Sequence, residues 1–301
     1  MRFFTGKKEQ RLTAAVFLLP TYLSIFLVMV YPLLQCVYFS LTNKLFTYKS
    51  WSFIGLDNYV KLFQDQLFHV SFLNSIKLTL AVVAGNLLLG LLLALLMNRP
   101  FPLRGLIRAL LLLPWVVPTM VTTIMFRWLY NDFYGYVNYF LVKNHFLSQP
   151  FNILADAKLA WLGVAMPMIW REYPFVMLVF LAALQSIDRR LYESAQIDGA
   201  GRWQMFRYIT LPGLKPAFVI AIILELIWRF STFDLVYLLT DGGPRYSTLT
   251  LPVHVFHLAF KSKELGYASA LGTIMFIVLL VLCLTYFRVI KRRQENIEGQ
   301  S

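Results

Sequence analysis

The chain has 301 residues, of which 58 % are hydrophobic, 16 % aromatic and only 14 % charged, and its mean hydropathy is +0.62. Soluble domains average about 45–50 % apolar and about 25 % charged residues, so the composition excludes an ordinary soluble domain and describes an all-α integral membrane protein, read as a single membrane domain over residues 1–301. The formal charge of +13 does not make a nucleic-acid binder, because Lys and Arg sit in short segments beside apolar runs, the positive-inside pattern.

The N-terminal segment MRFFTGKKEQR is basic and leads into the apolar run Leu12–Tyr38. That run exceeds the roughly 7–15 residues of a signal-peptide core and lacks an A-x-A site, so it is expected to remain as a first transmembrane helix. Further runs near Phe72–Met97, Gly105–Tyr130, Ala160–Leu184, Leu214–Tyr237 and Ala268–Ile290 reach the roughly 20 residues that a bilayer requires. Six helices place both termini on one side. Arg2, Lys7, Lys8 and Arg11, then Arg99, Arg104 and Arg108, the loop residues Arg189, Arg190, Arg202, Arg207 and Lys215, and the tail residues Arg288, Lys291, Arg292 and Arg293 fall on that side. Opposite lie fewer cations over longer segments: Lys44, Lys49, Lys61, Arg127, Lys143, Lys158, Arg245, Lys261 and Lys263. Both termini and the loop 185–213 are therefore expected in the cytoplasm.

The outer segments carry Trp51, Phe53, Tyr59, Phe63, Trp161, Phe256 and Phe260, suited either to packing or to anchoring at the membrane interface. Cys36 and Cys283 lie in apolar runs and read as small buried hydrophobes. His254 and His257 share a helical face with no third ligand beside them, so no metal site is expected. Nor does any catalytic set of side chains occur at membrane depth.

Between the fourth and fifth spans stands a polar island, Tyr192–Pro216, reading YESAQIDGAGRWQMFRYITLPGLKP. Asp188 is a candidate N-cap for a short helix through Arg189, Leu191, Tyr192 and Ala195. Gly199 and Gly201 permit a left-handed turn. A second amphipathic turn with Trp203, Met205 and Phe206 among Arg202 and Arg207 follows, and Pro212 and Pro216 are expected to end it. Two short helices around a glycine corner make a knob for a socket on a partner; the alternative is a helix lying in the membrane interface.

The skeleton Glu193, Ala195, Gly199, Ile209, Leu211 and Pro212 resembles the EAA loop of ABC importer permeases, with Ser194 in place of the first alanine. Similarity to the carbohydrate (maltose and multiple-sugar) branch of these permeases extends over nearly the whole chain. It covers Phe53-Ile-Gly-Leu-Asp-Asn-Tyr59, the run Arg108 to Pro118, Gly135-Tyr-Val-Asn138, Thr240-Asp-Gly-Gly-Pro244 with Thr248, and Gly266-Tyr-Ala-Ser-Ala270. The Gly-Gly-Pro element is similar to that of the first of two paired sugar permeases; unlike the maltose subunit, the chain has no room for extra N-terminal helices or a large outer domain.

The resemblance implies a type I ABC importer transmembrane domain in the bacterial cytoplasmic (inner) membrane, crossing the bilayer several times. It implies a second homologous permease, two ATP-binding cassette ATPases that hold ATP and Mg, an extracytoplasmic solute-binding protein, and a sugar substrate. This chain would hold no cofactor, and it lacks the G-x-x-x-x-G-K-[ST] phosphate loop. ATPase docking would fall to Glu193, Ser194, Ala195, Asp198, Gly199, Ile209, Leu211 and Pro212. Glu193 would meet a basic residue of the ATPase and Gly199 would set the turn.

Charge inside a span costs roughly 2.5–3.5 kcal/mol at the helix centre on insertion scales, so it marks a cavity or a partner. Arg171 and Glu172 in the fourth span, and Glu225, Arg229 and Asp234 in the fifth, are the candidates for a substrate path, beside Trp170, Tyr173, Phe230, Phe233 and Tyr237. Glu225 and Arg229 are four apart, in the order that favours a helical ion pair; such a pair either lines a path or holds helices together. Pro167 and Pro174 are expected to break the fourth helix beside Arg171. These charges sum to a slightly acidic lining, which favours a neutral sugar. A stand-alone secondary transporter or channel for small polar solutes is the alternative function, but it requires coupling-ion residues and internal repeats that the chain does not display.

Overall fold

The structure, a computed structural model, describes residues 7–47 and 50–298; Arg2 and Lys49 of the charge comparison lie outside the described residues. Apart from an isolated antiparallel bridge between Thr42 and Phe53, the regular structure of the described residues is helical. The chain divides into two compact units.

The first unit comprises residues up to Asp65 together with Val255–Phe276. Helix α1 (Lys7–Ile25) passes through a π-helical turn (Phe26–Val30) into α2 (Tyr31–Ser40), and α3 (Asp57–Gln64) follows a short loop. Buried Asn58 donates its amide to Ser40 O and Thr42 O, both at 2.8 Å, and Tyr59 OH bonds Ser40 Oγ at 2.7 Å. The FIGLDNY segment thus acts as a clasp on the end of α2. Gly266 donates its N–H to Lys44 O at 2.8 Å, and a Cβ there would meet Thr42 O, so only glycine permits the approach. Cys36 and Cys283 are free thiols and half-buried, less enclosed than their apolar surroundings in the sequence predict.

The second unit, Gln66–His254 with the residues from Ile277 onward, carries the candidate sites. Its elements are α4 (Gln66–Asn98), α5 (Arg104–Val116), α6 (Thr119–Tyr130), α7 (Tyr136–Lys143), α8 (Ala160–Ser186), α9 (Arg189–Ile197), α10 (Arg202–Met205), α11 (Leu211–Phe230), α12 (Asp234–Thr240), the start of α13 (Leu251–Phe256) and the far part of α14 (Leu265–Glu298). The core forms where α4, α8 and α11 meet. Ala94, Met97, Val176, Met177, Phe180, Leu184, Leu214, Ala217 and Ala221 are buried together there, and the rings of Phe180 and Phe218 lie 4.5 Å apart. In lipid no hydrophobic force draws helices together, so close approach at small residues such as Ala94, Ala217 and Ala221 carries the packing.

Among the described residues five helices are long and apolar enough to cross a membrane: Ala14–Ser40, Gln66–Asn98, Ala160–Ser186, Arg202–Phe230 and Leu265–Arg288. The expected third span is instead a pair, α5 and α6, meeting at 95°. Pro118 supplies no N–H and forces its predecessor out of the helical region, and Val117 is extended at φ −68°, ψ 126°.

Three expectations about prolines and helix ends are corrected. Helix α8 runs unbroken through Pro167 and Pro174; both are buried among neighbouring helices, where surrounding groups compensate a lost backbone bond. The second helix of the polar loop does not end at Pro212 or Pro216. It continues from α10 through a π-helical turn, Phe206–Thr210, into α11, and that widened turn accommodates Pro212, two residues after it. Finally, the fifth span stops at Phe230, so Asp234 and Tyr237 belong to the separate helix α12.

Candidate functional site

The polar loop folds as a helix–corner–helix. Asp188 is extended and caps α9: its Oδ1 accepts the Arg190 N–H at 2.9 Å, satisfying one of the unpaired donors of the first turn. The Arg190 side chain also grips this carboxylate, with Nε at 3.0 Å and Nη2 at 2.8 Å from Oδ2. The Arg190 side chain first, and the Arg190 backbone bond second, hold the Asp188 carboxyl below the usual aspartate range.

At the corner, Gly199 takes φ +79° with open space around it, the left-handed conformation that L-residues resist. Gly201 does not share it; it has φ −71° and serves as N-cap of α10, its N–H donated to Gln204 Oε1 at 2.7 Å. Tyr192 OH bonds Thr210 Oγ1 at 2.9 Å and so ties α9 back to the π turn. Gly213 lies against Ile187, where a Cβ would come within 2.7 Å of Cδ1.

Of the docking residues expected from the sequence, Glu193, Ser194, Asp198, Gly199 and Pro212 are exposed, whereas Ala195, Ile209 and Leu211 are half-buried and support the element from beneath. Glu193 pairs with Arg189 at 3.0 Å on an open surface, and Ser194 Oγ returns its hydrogen to Arg190 O at 2.9 Å. Large apolar side chains absent from the expected set are exposed there, most of all Ile197 at 88 %, Tyr208 at 74 % and Trp203 at 73 %. Their mixture of apolar bulk in a polar segment was the available signal.

Four of the expected intramembrane charges, Arg171, Glu172, Glu225 and Arg229, assemble into one network. Arg229 Nη1 lies 3.3 Å from Glu172 Oε1, and Arg229 Nε lies 3.5 Å from Glu225 Oε2. Arg171 Nη1 donates to the same Glu172 oxygen, while Arg171 Nε donates to Val117 O at 3.2 Å. Asn86, unexpected from the sequence, donates Nδ2 to Glu225 Oε2 at 2.6 Å. A lone amide in the long apolar run of α4 was the signal for it, because polar side chains in lipid find partners across helices. Glu225 and Asn86 are fully buried and Glu172 is nearly so.

Asp234 is not in this network. It is exposed at the start of α12, where its Oδ1 accepts the Leu235 N–H at 2.9 Å. The clustered Arg171, Glu172, Glu225 and Arg229 sum to zero formal charge, with Asp234 outside the cluster. Tyr173 is buried and donates its hydroxyl to Leu111 O at 3.1 Å; Phe230 is buried. Trp170 meets Phe126 edge-on at 5.6 Å, and Phe233 stacks on Tyr237 at 5.0 Å. Lys77, another in-span cation, places its Nζ 4.1 Å from the Trp161 ring centre, a cation–π contact.

Residues 86–296 match the family described as binding-protein-dependent transport system inner membrane component. The chain is 37 % identical over 288 residues to the sulfoquinovosyl glycerol transport system permease protein SmoG of Agrobacterium fabrum, covering 94 % of this chain and 92 % of that protein. It is 31 % identical over 278 residues to the trehalose/maltose transport system permease protein MalF of Thermococcus litoralis, covering 92 % and 93 %. Among solved structures, a chain of a bacterial ABC transporter involved in the import of the acidic polysaccharide alginate superposes with a TM-score of 0.80 at 24 % identity, over 94 % of this chain and 96 % of that one. The folds agree: a type I importer membrane domain. With the family matched over residues 86–296 and relatives 31–37 % identical along nearly the full length, the chain belongs to the inner membrane components of binding-protein-dependent transport systems, the permease subunits of ABC importers.

Proposed function

We propose that this permease forms half of the translocation path of an ATP-driven importer for a sugar or a sugar-containing glycoside, and that α9 to α10 is the element its ATPases grip. The observation that carries the reading is the shape of that element. An exposed, capped helix turns at a left-handed glycine and re-enters the membrane as one helical rod from Arg202 to Phe230, 29 residues long. At about 1.5 Å per residue the rod spans roughly 40 Å, enough to carry a push from the membrane surface to its interior. The names of the relatives support the cargo class, since their cargoes are sulfoquinovosyl glycerol in one and trehalose or maltose in the other.

In this reading a second permease completes the path, a binding protein delivers the cargo from outside, and two ATPases bind the cytoplasmic loops. ATP-driven closure of the ATPases moves the loops, and hydrolysis resets them, a rigid-body switch between two states. The termini and the loop 185–213 face the cytoplasm on the charge distribution. Because the two arginines and two glutamates of the network pair with one another, they do not select cargo by charge.

The test is ATP hydrolysis by the reconstituted complex with cargo-loaded binding protein, wild type against Glu193→Ala. Stimulation in wild type with loss of coupling in the variant supports the docking role. Equal stimulation in both removes Glu193 from it, and stimulation by no sugar-loaded binding protein removes the cargo class.

A further inference from the structure

The charged network joins two features that lie far apart in the chain. One is the rod Arg202–Phe230, whose inner end carries Arg229. The other is the 95° bend between α5 and α6, whose carbonyl at Val117 accepts from Arg171 Nε. Glu172 Oε1 is the shared contact, bonded by Arg171 and paired with Arg229. We propose that Arg171 is a positioning residue that sets the α5–α6 bend according to where the coupling rod stands, acting through Glu172 and Arg229. The inference rests on the reading that α9 to α10 is moved by ATPases.

Three observations carry it. Arg171 uses its guanidinium as a fork, Nε on the bend carbonyl and Nη1 on Glu172, a geometry that a lysine ammonium does not reproduce. Arg229 stands between two carboxylates at nearly equal distance, 3.3 Å from Glu172 and 3.5 Å from Glu225. A small slide of α11 along α8 releases Glu172 while Glu225, four residues back on the same helix, keeps the arginine paired. Glu225 Oε1 and Asn86 Oδ1 are buried with no hydrogen-bond partner in this arrangement, and buried polar atoms normally have one. They are spare acceptors for a second arrangement. When Arg229 leaves Glu172, the carboxylate is held by Arg171 alone, and the fork on Val117 turns with it. Packed interfaces move between discrete arrangements of this kind rather than by continuous deformation.

The experiment places spin labels at exposed Leu106 on α5 and exposed Ile124 on α6, with Cys36 and Cys283 replaced, in the full transport complex in lipid nanodiscs. Distances across the bend are measured without nucleotide and with Mg-ATP under turnover block. In wild type the distribution is expected to shift with nucleotide. In Arg171→Met, Glu172→Gln and Arg229→Met the shift is expected to vanish, and the double variant Arg171→Met/Arg229→Met should lose no more than either single change, as members of one chain of contacts are non-additive. Arg171→Lys, which keeps the charge and is the variant safest for assembly, should also lose the shift. Ser186→Ala, on α8 but outside the relay, should retain it.

A wild-type shift that survives Arg171→Lys overturns the proposal. So does a displacement of equal size in both nucleotide states, which marks a purely structural role. A second label pair between exposed Ile197 on α9 and exposed Leu106 separates the two levels. Movement there with a still bend overturns the relay alone, whereas no movement at either pair overturns the coupling reading beneath it.

Discussion

The two candidate regions are built on opposite physical terms. The α9–α10 element is held by a cap, a glycine corner and few side-chain bonds to the rest, and its charges are exposed: Arg189 and Glu193 expose 90 % and 56 % of their side chains. The network of Asn86, Glu172, Glu225 and Arg229 is enclosed, with Arg229 showing 8 % and Glu225 none. An ion pair in water adds about 0–1 kcal/mol. One in the interior is costly to form and costly to break, because removal of a partner strands the other charge. The difference teaches that the outer element is free to be recognised, and the inner one is fixed unless its partners exchange.

The largest effect is therefore expected from Arg229→Met. It leaves Glu225 without its cation, while Glu172 keeps Arg171, and a loss of about 3–5 kcal/mol is the usual consequence of breaking a buried pair. Thermal unfolding of the purified complex in detergent checks this, and a midpoint equal to wild type would remove the contrast between the regions. Gly199→Val comes next. A β-branched residue at φ +79° carries a left-handed penalty of about 1–2 kcal/mol, confined to the corner; the unfolding midpoint should move little while binding of the ATPase weakens in a pull-down.

A gentler probe is pH. The carboxyl of Asp188 is depressed in the fold by Arg190, so its contribution to α9 is present above the ordinary aspartate range and is lost as pH falls through the depressed value. Hydrogen exchange at the first amides of α9 should accelerate only in that acidic window, and Asp188→Asn, which still caps, should abolish the pH dependence. The smallest effect is expected for Arg189→Ala, within about 1 kcal/mol in stability because the pair is exposed. A large loss of stability there would show that the element is locked into the membrane domain rather than presented outward.

Much of the outer region was legible from local order along the chain. Asp188 before a helical run, Gly199 at the corner and the Glu-Ala-Gly to Leu-Pro spacing are local signals, and helix caps and left-handed turns depend on neighbours within a few residues. The continuation of α10 through the π turn into α11 was not legible, because Pro212 and Pro216 are local stop signals that the wider turn overrides. In the network, the Glu225–Arg229 pair was readable from its four-residue spacing. The sharing of Glu172 by Arg171 and Arg229, and the part played by Asn86, were not, since they join separate helices, Asn86 reaching Glu225 across 139 residues of chain.

The same division holds for the whole molecule. The alternation of apolar runs and basic segments determined by itself that the protein is helical and crosses a membrane, because burial in lipid requires every backbone group to be satisfied within its own segment. It also marked the places where charge must be explained. Which charges meet, which aromatic rings are shut away and where a span bends were decided only by the packing of helices against one another. Pro118 shows why: proline removes a backbone bond wherever it stands, yet α8 absorbs two of them among its neighbours while the α5–α6 pair turns through 95°.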